Sequence, residues 1–138
     1  MSVASAPPTT KSSPVLTAAA QVAVPANLET PRTVLIGAHL FRANCVACHG
    51  APGVASFVLG LTPAPPNLLA AGRRNDPTEV FLKIKGGVAG TAMPAFGDAL
   101  PEQSLWSLAA FLHHSRGISA SDFDALSAAK ADASQEDR

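Results

Sequence analysis

The chain contains two cysteines, and both lie in one short motif, "NCVACHG". Cys45 and Cys48 are separated by two residues, and His49 follows directly. A C-x-x-C-H motif is typical of covalent haem attachment, in which each thiol bonds one vinyl group of the porphyrin. The adjoining imidazole is then carried beneath the iron as its proximal ligand. These three residues are therefore the first candidates for binding a cofactor.

Two thiols beside an imidazole also allow other chemistry. A structural zinc site needs four ligands, and Cys45, Cys48 and His49 supply only three, of which two are adjacent in sequence. A thioredoxin-type redox pair needs a strand before the first cysteine, and no strand candidate precedes Cys45. A disulfide between these two cysteines would close a small, strained loop. The residues themselves therefore favour haem attachment.

A bound haem would need a second axial ligand. The iron of cytochromes c is typically held by one histidine and one methionine. Met1 is the initiator, so the available methionine is Met93 in "GTAMPAFG". Pro94 restricts Met93 towards an extended backbone, which places it in a loop. An isolated methionine often fills a gap in the core, but after C-x-x-C-H we predict that His49 and Met93 are the metal ligands.

Three main helices are predicted to position these residues, and no strand candidate is convincing, so the fold class is all-α. The first helix begins near Thr33 and runs to the cysteines. The second is "NDPTEVFLKIKGG", with Asp76 as its cap and Pro77 at the first helical position. The third is "PEQSLWSLAAFLHHSRG", with leucines at helical spacing and a stop at Gly117. Long loops rich in glycine and proline separate the three helices.

Composition indicates one domain that either is marginally stable or has a core filled by something other than side chains. Hydrophobic residues make up 47% of the chain but aromatic residues only 5%. We predict a disordered leader or linker over 1–32, a folded domain over 33–117, and a short helical turn with an acidic flexible tail over 118–138. No apolar run approaches the ~18 residues of a membrane helix. The formal net charge of zero argues against nucleic acid as a partner.

The motifs in combination and order resemble class I monohaem cytochromes c of bacteria. The resemblance covers roughly 33–117 and includes C-x-x-C-H, the proline-rich loop ending "PPNLL", the loop "GTAMPAFG" and the helix "LWSLAAFL". It implies a cytochrome c fold whose helices and loops wrap around one covalently bound haem, with Cys45, Cys48, His49 and Met93 as the cofactor-binding residues.

Further contacts are implied by the same resemblance. The first and last helices should cross where Gly37 and Phe41 meet Leu108 and Phe111, which would explain a glycine inside a helix. A proline carbonyl near "PAPPN" should accept a hydrogen bond from His49. The apolar residues expected to line the haem are Leu59, Leu61, Leu68, Phe81, Ile84 and Phe96.

The function implied is one-electron transfer by an iron that cycles between Fe(III) and Fe(II), without enzymatic activity of its own. A six-coordinate iron has no vacant position for a substrate, and no acid–base pair is apparent. The alternatives are a haem subunit or module of a periplasmic dehydrogenase or oxidase complex, or a haem-based sensor in which Met93 dissociates. Redox proteins are the expected partners, and the periplasm is the expected location, although the leader signal is weak.

The remaining charged residues and histidines have less specific interpretations. Four cations form either a rim that steers an acidic partner or a merely solvated helix face: Arg73, Arg74, Lys83 and Lys85. Three histidines outside the motif are interpreted as exposed or helix-capping residues rather than iron ligands: His39, His113 and His114.

Overall fold

The computed structural model describes residues 22–26 and 28–128, and its regular structure is helical. Its helices are α1 (Pro31–Asn44), α2 (Val46–His49), α3 (Pro77–Gly86), α4 (Glu102–His114) and α5 (Ala120–Ala128). Within these ranges the strand-like structure is an isolated bridge between Ala51 and Val54. The predicted all-α fold is confirmed. In the same part of the chain, no helix has the length and apolarity needed to cross a membrane.

Helix α1 begins two residues before the predicted start because Thr30 caps it. The Thr30 side chain accepts a hydrogen bond from the backbone N–H of Thr33 at 3.2 Å, and Pro31 takes the first helical position. A capping oxygen satisfies a donor that has no partner inside the helix, and proline lacks one such donor. The first turn of α1 is therefore stabilised locally.

Helices α1 and α4 cross in close contact at Gly37. A Cβ atom added to Gly37 would overlap the backbone carbonyl of Ser107 and lie 2.7 Å from Cβ of Phe111. The expected close approach at Gly37 is confirmed, with Ser107 as a contact that the sequence had not indicated. Leu108 is buried in the core beside this crossing.

An aromatic cluster joins α1, α4 and α5. Ring centroids lie 5.4 Å apart for Phe41 and Phe111, 6.0 Å for Phe41 and Phe123, and 6.2 Å for Phe111 and Phe123. Phe123 is 1% exposed, and α5, which carries it, has nine residues. The prediction of only a short turn here understated this element, because burial against α1 and α4 stabilises a helix too short to form alone.

Helix α3 packs against α4 through stacked rings. Phe81 and Trp106 lie 4.0 Å apart, with 8° between their planes. The α3 N-terminus is capped as predicted, since the Asp76 carboxylate accepts from the N–H of Glu79 at 3.2 Å and Pro77 follows the cap. The helix ends at Gly86, and the following Gly87 has φ 76°.

The predicted division into leader, domain and tail stays a prediction. Residues 1–21, 27 and 129–138, which make up most of the predicted leader and the acidic end of the tail, lie outside the described residues. Val22 and Leu28, which are described, are half-buried against the core.

Candidate functional site

A cavity of about 580 Å³ lies between the end of α1, the loops on either side of α3, and α4. Cys45, Cys48, His49 and Met93 all line it, so the structure brings the four predicted site residues together. The volume is within the range of small-molecule and cofactor sites.

The C-x-x-C-H motif forms one tight helical turn directly after α1. The N–H of His49 donates to the carbonyl of Cys45 at 2.9 Å, and the N–H of Gly50 donates to that of Val46 at 2.8 Å. This turn places both cysteines and the histidine on the cavity side, while Val46 is buried in the core. Gly50 has φ 69°, a conformation that favours glycine, and it ends the turn.

The two thiols are free and differ in exposure. Cys45 is buried, whereas Cys48 is half-buried. Burial, and to a lesser extent the neighbouring Cys48, raises the pKa of the Cys45 thiol to about 12. The buried sulfur is therefore uncharged at neutral pH. A thioether is uncharged as well, so a covalent bond to a vinyl carbon at Cys45 would bury no charge.

The imidazole of His49 is oriented by a backbone carbonyl. Its Nδ1 lies 2.8 Å from the carbonyl oxygen of Pro66. Because a carbonyl only accepts, Nδ1 carries the proton of the neutral ring and Nε2 keeps its lone pair for a metal. The expected proline carbonyl is confirmed, and the residue is Pro66.

Met93 is half-buried in the loop between α3 and α4, where its side chain lines the cavity. Its N–H donates to Oγ1 of Thr91 at 3.1 Å, and its carbonyl accepts from Val88 at 3.4 Å. A Cβ atom added to Gly87 would lie 3.1 Å from the Met93 carbonyl, so the loop folds back on the end of α3.

The C-terminal end of this loop is fastened to α3. The N–H of Phe96 donates to the carbonyl of Ile84 at 2.8 Å, and that of Gly97 to the carbonyl of Lys85 at 3.1 Å. A loop tied at this point loses less conformational entropy than a free one when the Met93 side chain is held in one position.

The apolar lining is partly as predicted. Leu61, Leu68, Ile84 and Phe96 line the cavity, together with residues that the sequence had not indicated: Val80, Val88 and Leu112. The prediction is wrong for two residues. Leu59 is 82% exposed, and Phe81 is buried against Trp106, so neither lines the cavity. The position of Leu59 depends on the path of its loop, and that of Phe81 on which face of α3 packs against α4. Residue type reveals neither.

The charged rim is smaller than predicted. Arg73, Arg74 and Lys83 line the cavity, together with Asp76 and Glu79. Three cations and two carboxylates leave a formal charge of +1 at its edge. Lys85 lies outside the lining, and its ammonium group is 3.3 Å from the carboxylate of Glu102.

The other described histidines do not reach the cavity. Nδ1 of His113 lies 2.6 Å from the carboxylate of Glu29, and Nδ1 of His114 lies 3.7 Å from it. His39 is half-buried on α1, where its Nε2 has no hydrogen-bond partner in the structure. None of the three lies near the motif of Cys45 to His49 as an alternative ligand.

Asn75 is a cavity residue that the sequence did not single out. It is 6% exposed and has φ 46°, a left-handed conformation uncommon for residues with a side chain. The only hint in the sequence is the position of an asparagine just before the cap of α3.

The arrangement fits a covalently attached haem. The residues combine two thiols, an imidazole whose Nε2 is free to bind, a thioether and a largely apolar wall. Among residues 22–26 and 28–128, no group of three or more His, Cys, Asp or Glu side chains is placed to hold a bare metal ion.

Comparison with known proteins identifies one family. A family model described as cytochrome c oxidase, cbb3-type, subunit III matches residues 32–112, which is more than half of the chain. The matched range contains the whole cavity lining and stops before α5. No curated protein and no solved structure matches the chain.

Proposed function

The chain belongs to the family of c-type cytochrome domains described as cytochrome c oxidase, cbb3-type, subunit III, and on this premise we propose that it transfers single electrons through one covalently attached haem c. Membership of this family supports haem-based electron transfer. The observation that carries the finer proposal is the meeting of Cys45, Cys48, His49 and Met93 on one cavity, with the His49 ring oriented by Pro66.

Each site residue has a distinct role in this proposal. Cys45 and Cys48 would form thioether bonds to the two vinyl groups, and Nε2 of His49 and the thioether of Met93 would hold the iron. When bound, the haem supplies a one-electron Fe(III)/Fe(II) couple. The Pro66 carbonyl holds the His49 ring in one tautomer and one orientation, and a thioether ligand favours the reduced metal.

The protein around the cofactor keeps the reacting centre dry and rigid. The apolar lining excludes water, which limits the rearrangement that accompanies a change of charge. With His49 and Met93 both holding the iron, no ligand position would remain for a substrate, so the proposed role is that of a carrier rather than an enzyme.

A second candidate function is favoured by the family description, which names an oxidase subunit. The domain would then pass electrons within a larger oxidase or dehydrogenase complex. The chemistry of the site is the same in both cases. The two functions differ in whether the protein remains bound to its partner, which co-purification from the natural host distinguishes. A sensor in which Met93 dissociates is supported by no contact described above.

The proposed partners are redox proteins that approach the cavity edge. Arg73, Arg74 and Lys83 at that edge favour a partner whose contacting surface is acidic. We place the protein in the bacterial periplasm, because covalent haem attachment takes place outside the cytoplasm.

Mass spectrometry of the protein purified from its natural host tests the proposal. We expect a mass increase of one haem that survives denaturation and maps to the peptide containing Cys45 and Cys48. Colourless protein, or pigment that passes into acidified organic solvent, would contradict covalent attachment. A Cys48→Ala variant provides the control, since it should keep one thioether bond instead of two.

A further inference from the structure

Asn75 has a backbone conformation that sets it apart from its neighbours. Among the described residues it is the one non-glycine residue with positive φ, at 46°. Asparagine tolerates this region better than most residues, but the conformation still costs free energy unless surrounding contacts hold it. The side chain is 6% exposed and lies at the cavity wall. Its hydrogen bonds indicate what holds it there.

The Asn75 amide bonds two residues of its own loop and one residue of α4. Its Nδ2 donates to the carbonyl of Leu68 at 2.8 Å and to the carbonyl of Leu112 at 2.9 Å. Its Oδ1 accepts from Nε of Arg73 at 3.2 Å. Both amide protons and the amide oxygen are therefore used, and the loop before α3 is fastened to the last turns of α4.

The fastened loop carries the carbonyl that orients His49. Pro66 precedes Leu68 by two residues, and its carbonyl oxygen lies 2.8 Å from Nδ1 of His49. The adjacent Leu69 is tied to the same end of α4, since its carbonyl accepts from the N–H of Gly117 at 2.7 Å. The position of the Pro66 carbonyl thus depends on tethers made two and three residues away.

We propose that Asn75 is a positioning residue for the iron ligand: by fastening Leu68 to Leu112 it holds the Pro66 carbonyl against Nδ1 of His49. This inference rests on the proposed function, because it concerns the ligand role of His49. A carbonyl that accepts from Nδ1 makes the imidazole more electron-rich, which stabilises the ferric state. Releasing the tether weakens that hydrogen bond and shifts the redox equilibrium towards the ferrous state.

An Asn75→Gly variant tests the tether without adding backbone strain, since glycine adopts positive φ readily. It also releases Arg73, a cation at the cavity edge whose displacement would favour the ferric state. The two effects have opposite signs, so the comparison is made between Arg73→Gln and Arg73→Gln/Asn75→Gly. Relative to Arg73→Gln, we expect the ferric/ferrous equilibrium of the double variant to shift about tenfold towards the ferrous form. This shift raises the reduction potential by about 59 mV for one electron.

A second readout reports on the hydrogen bond itself. Exchange of the His49 Nδ1 proton with solvent, followed by NMR of the reduced holoprotein, should be faster in the double variant than in Arg73→Gln. Phe123→Ala is the control for a general loss of stability. Phe123 lies in the aromatic cluster and does not line the cavity, so that variant should lower the Tm and leave both readouts unchanged.

The positioning role would be overturned if Arg73→Gln and Arg73→Gln/Asn75→Gly, both with His/Met ligation intact, had equal reduction potentials and equal exchange rates of the His49 Nδ1 proton. If the glycine variants do not fold, Asn75→Asp keeps the side-chain shape and lacks both N–H donors. Its readout is Nδ1 exchange alone, since the new charge would itself move the potential. Unchanged exchange in Asn75→Asp also overturns the role. Wild-type protein without covalent haem would instead contradict the proposed function.

Discussion

The carbonyl oxygen of Pro66 lies 2.8 Å from Nδ1 of His49, although 17 positions separate the two residues in the chain. His49 lines the cavity at the end of the C-x-x-C-H turn, and Pro66 belongs to the proline-rich loop. The contact selects the ring nitrogen that is left for a metal. It therefore connects the local motif to the long-range fold.

Replacing Met93 by alanine should remove the proposed second iron ligand. We expect the near-infrared sulfur-to-iron charge-transfer band to disappear and the reduced protein to bind carbon monoxide, since a coordination position becomes free. The reduction potential should fall, because the thioether favours the ferrous state. Absorption spectroscopy and redox titration measure these changes.

The matched control for Met93→Ala is Leu59→Ala. Leu59 is 82% exposed and lies outside the cavity lining, so its loss should leave the spectrum and the potential as they are. A charge-transfer band that persists in Met93→Ala would show that another residue supplies the sulfur ligand.

Replacing Gly37 by alanine should destabilise the protein. Alanine is the better helix former by about 1 kcal/mol, but its Cβ would overlap the Ser107 carbonyl and crowd Phe111. Overpacking costs about 1–3 kcal/mol, and overlap with a rigid backbone carbonyl puts this site at the upper end of that range, so the net change is a loss. Gly86→Ala is the control, because a Cβ there meets nothing within 4 Å. Thermal unfolding of both holoproteins should give a lower Tm for Gly37→Ala only.

Replacing Phe123 by alanine should lower stability without altering the haem site. Phe123 is 1% exposed and packs on Phe41 and Phe111. Removing a buried phenylalanine costs about 3–5 kcal/mol, while the exposed pair of Arg42 and Asp124 contributes at most about 1 kcal/mol. Asp124→Ala should therefore unfold close to wild type. An altered visible spectrum in folded Phe123→Ala would contradict the separation of α5 from the cavity.

Reversing the charge of Arg74 should change electron-transfer rates with small charged reagents. Arg74 lines the cavity, whereas Lys85 lies outside it beside Glu102. We expect Arg74→Glu to slow oxidation by ferricyanide several-fold and to speed reaction with a cationic ruthenium complex. Lys85→Glu, with the same change of net charge, should have the smaller effect. Both effects should shrink as salt rises, because screening shortens the range of the charge. Equal rates in the two variants would show that electrons do not leave through the part of the cavity edge that Arg74 lines.

The parts of the candidate site that could be predicted are those that depend on residues close together in the sequence. Cys45, Cys48 and His49 lie on one helical turn, so their spacing alone indicates their joint chemistry. The capping of α3 by Asp76 is equally local and was predicted correctly. Met93 followed from the lack of any other non-initiator methionine, combined with the ligand preference of c-type iron.

The remainder of the fold depends on contacts between distant residues. Leu59 and Leu61 differ by two positions, yet the first is 82% exposed and the second lines the cavity. Phe123 becomes part of the core only because α5 returns to α1. Asn75 acquires its role from the carbonyls of Leu68 and Leu112, and the latter is 37 positions away.

The sequence by itself determined the chemistry: two thiols, an imidazole and a thioether, carried by a chain with helical periodicity. The tertiary structure decided which proline carbonyl meets His49, which asparagine fastens that loop, and which apolar residues surround the cavity. The physical reason is that residue type and short spacing define reactivity and local helix geometry. Orientation and burial depend instead on the simultaneous packing of segments that lie far apart in the chain.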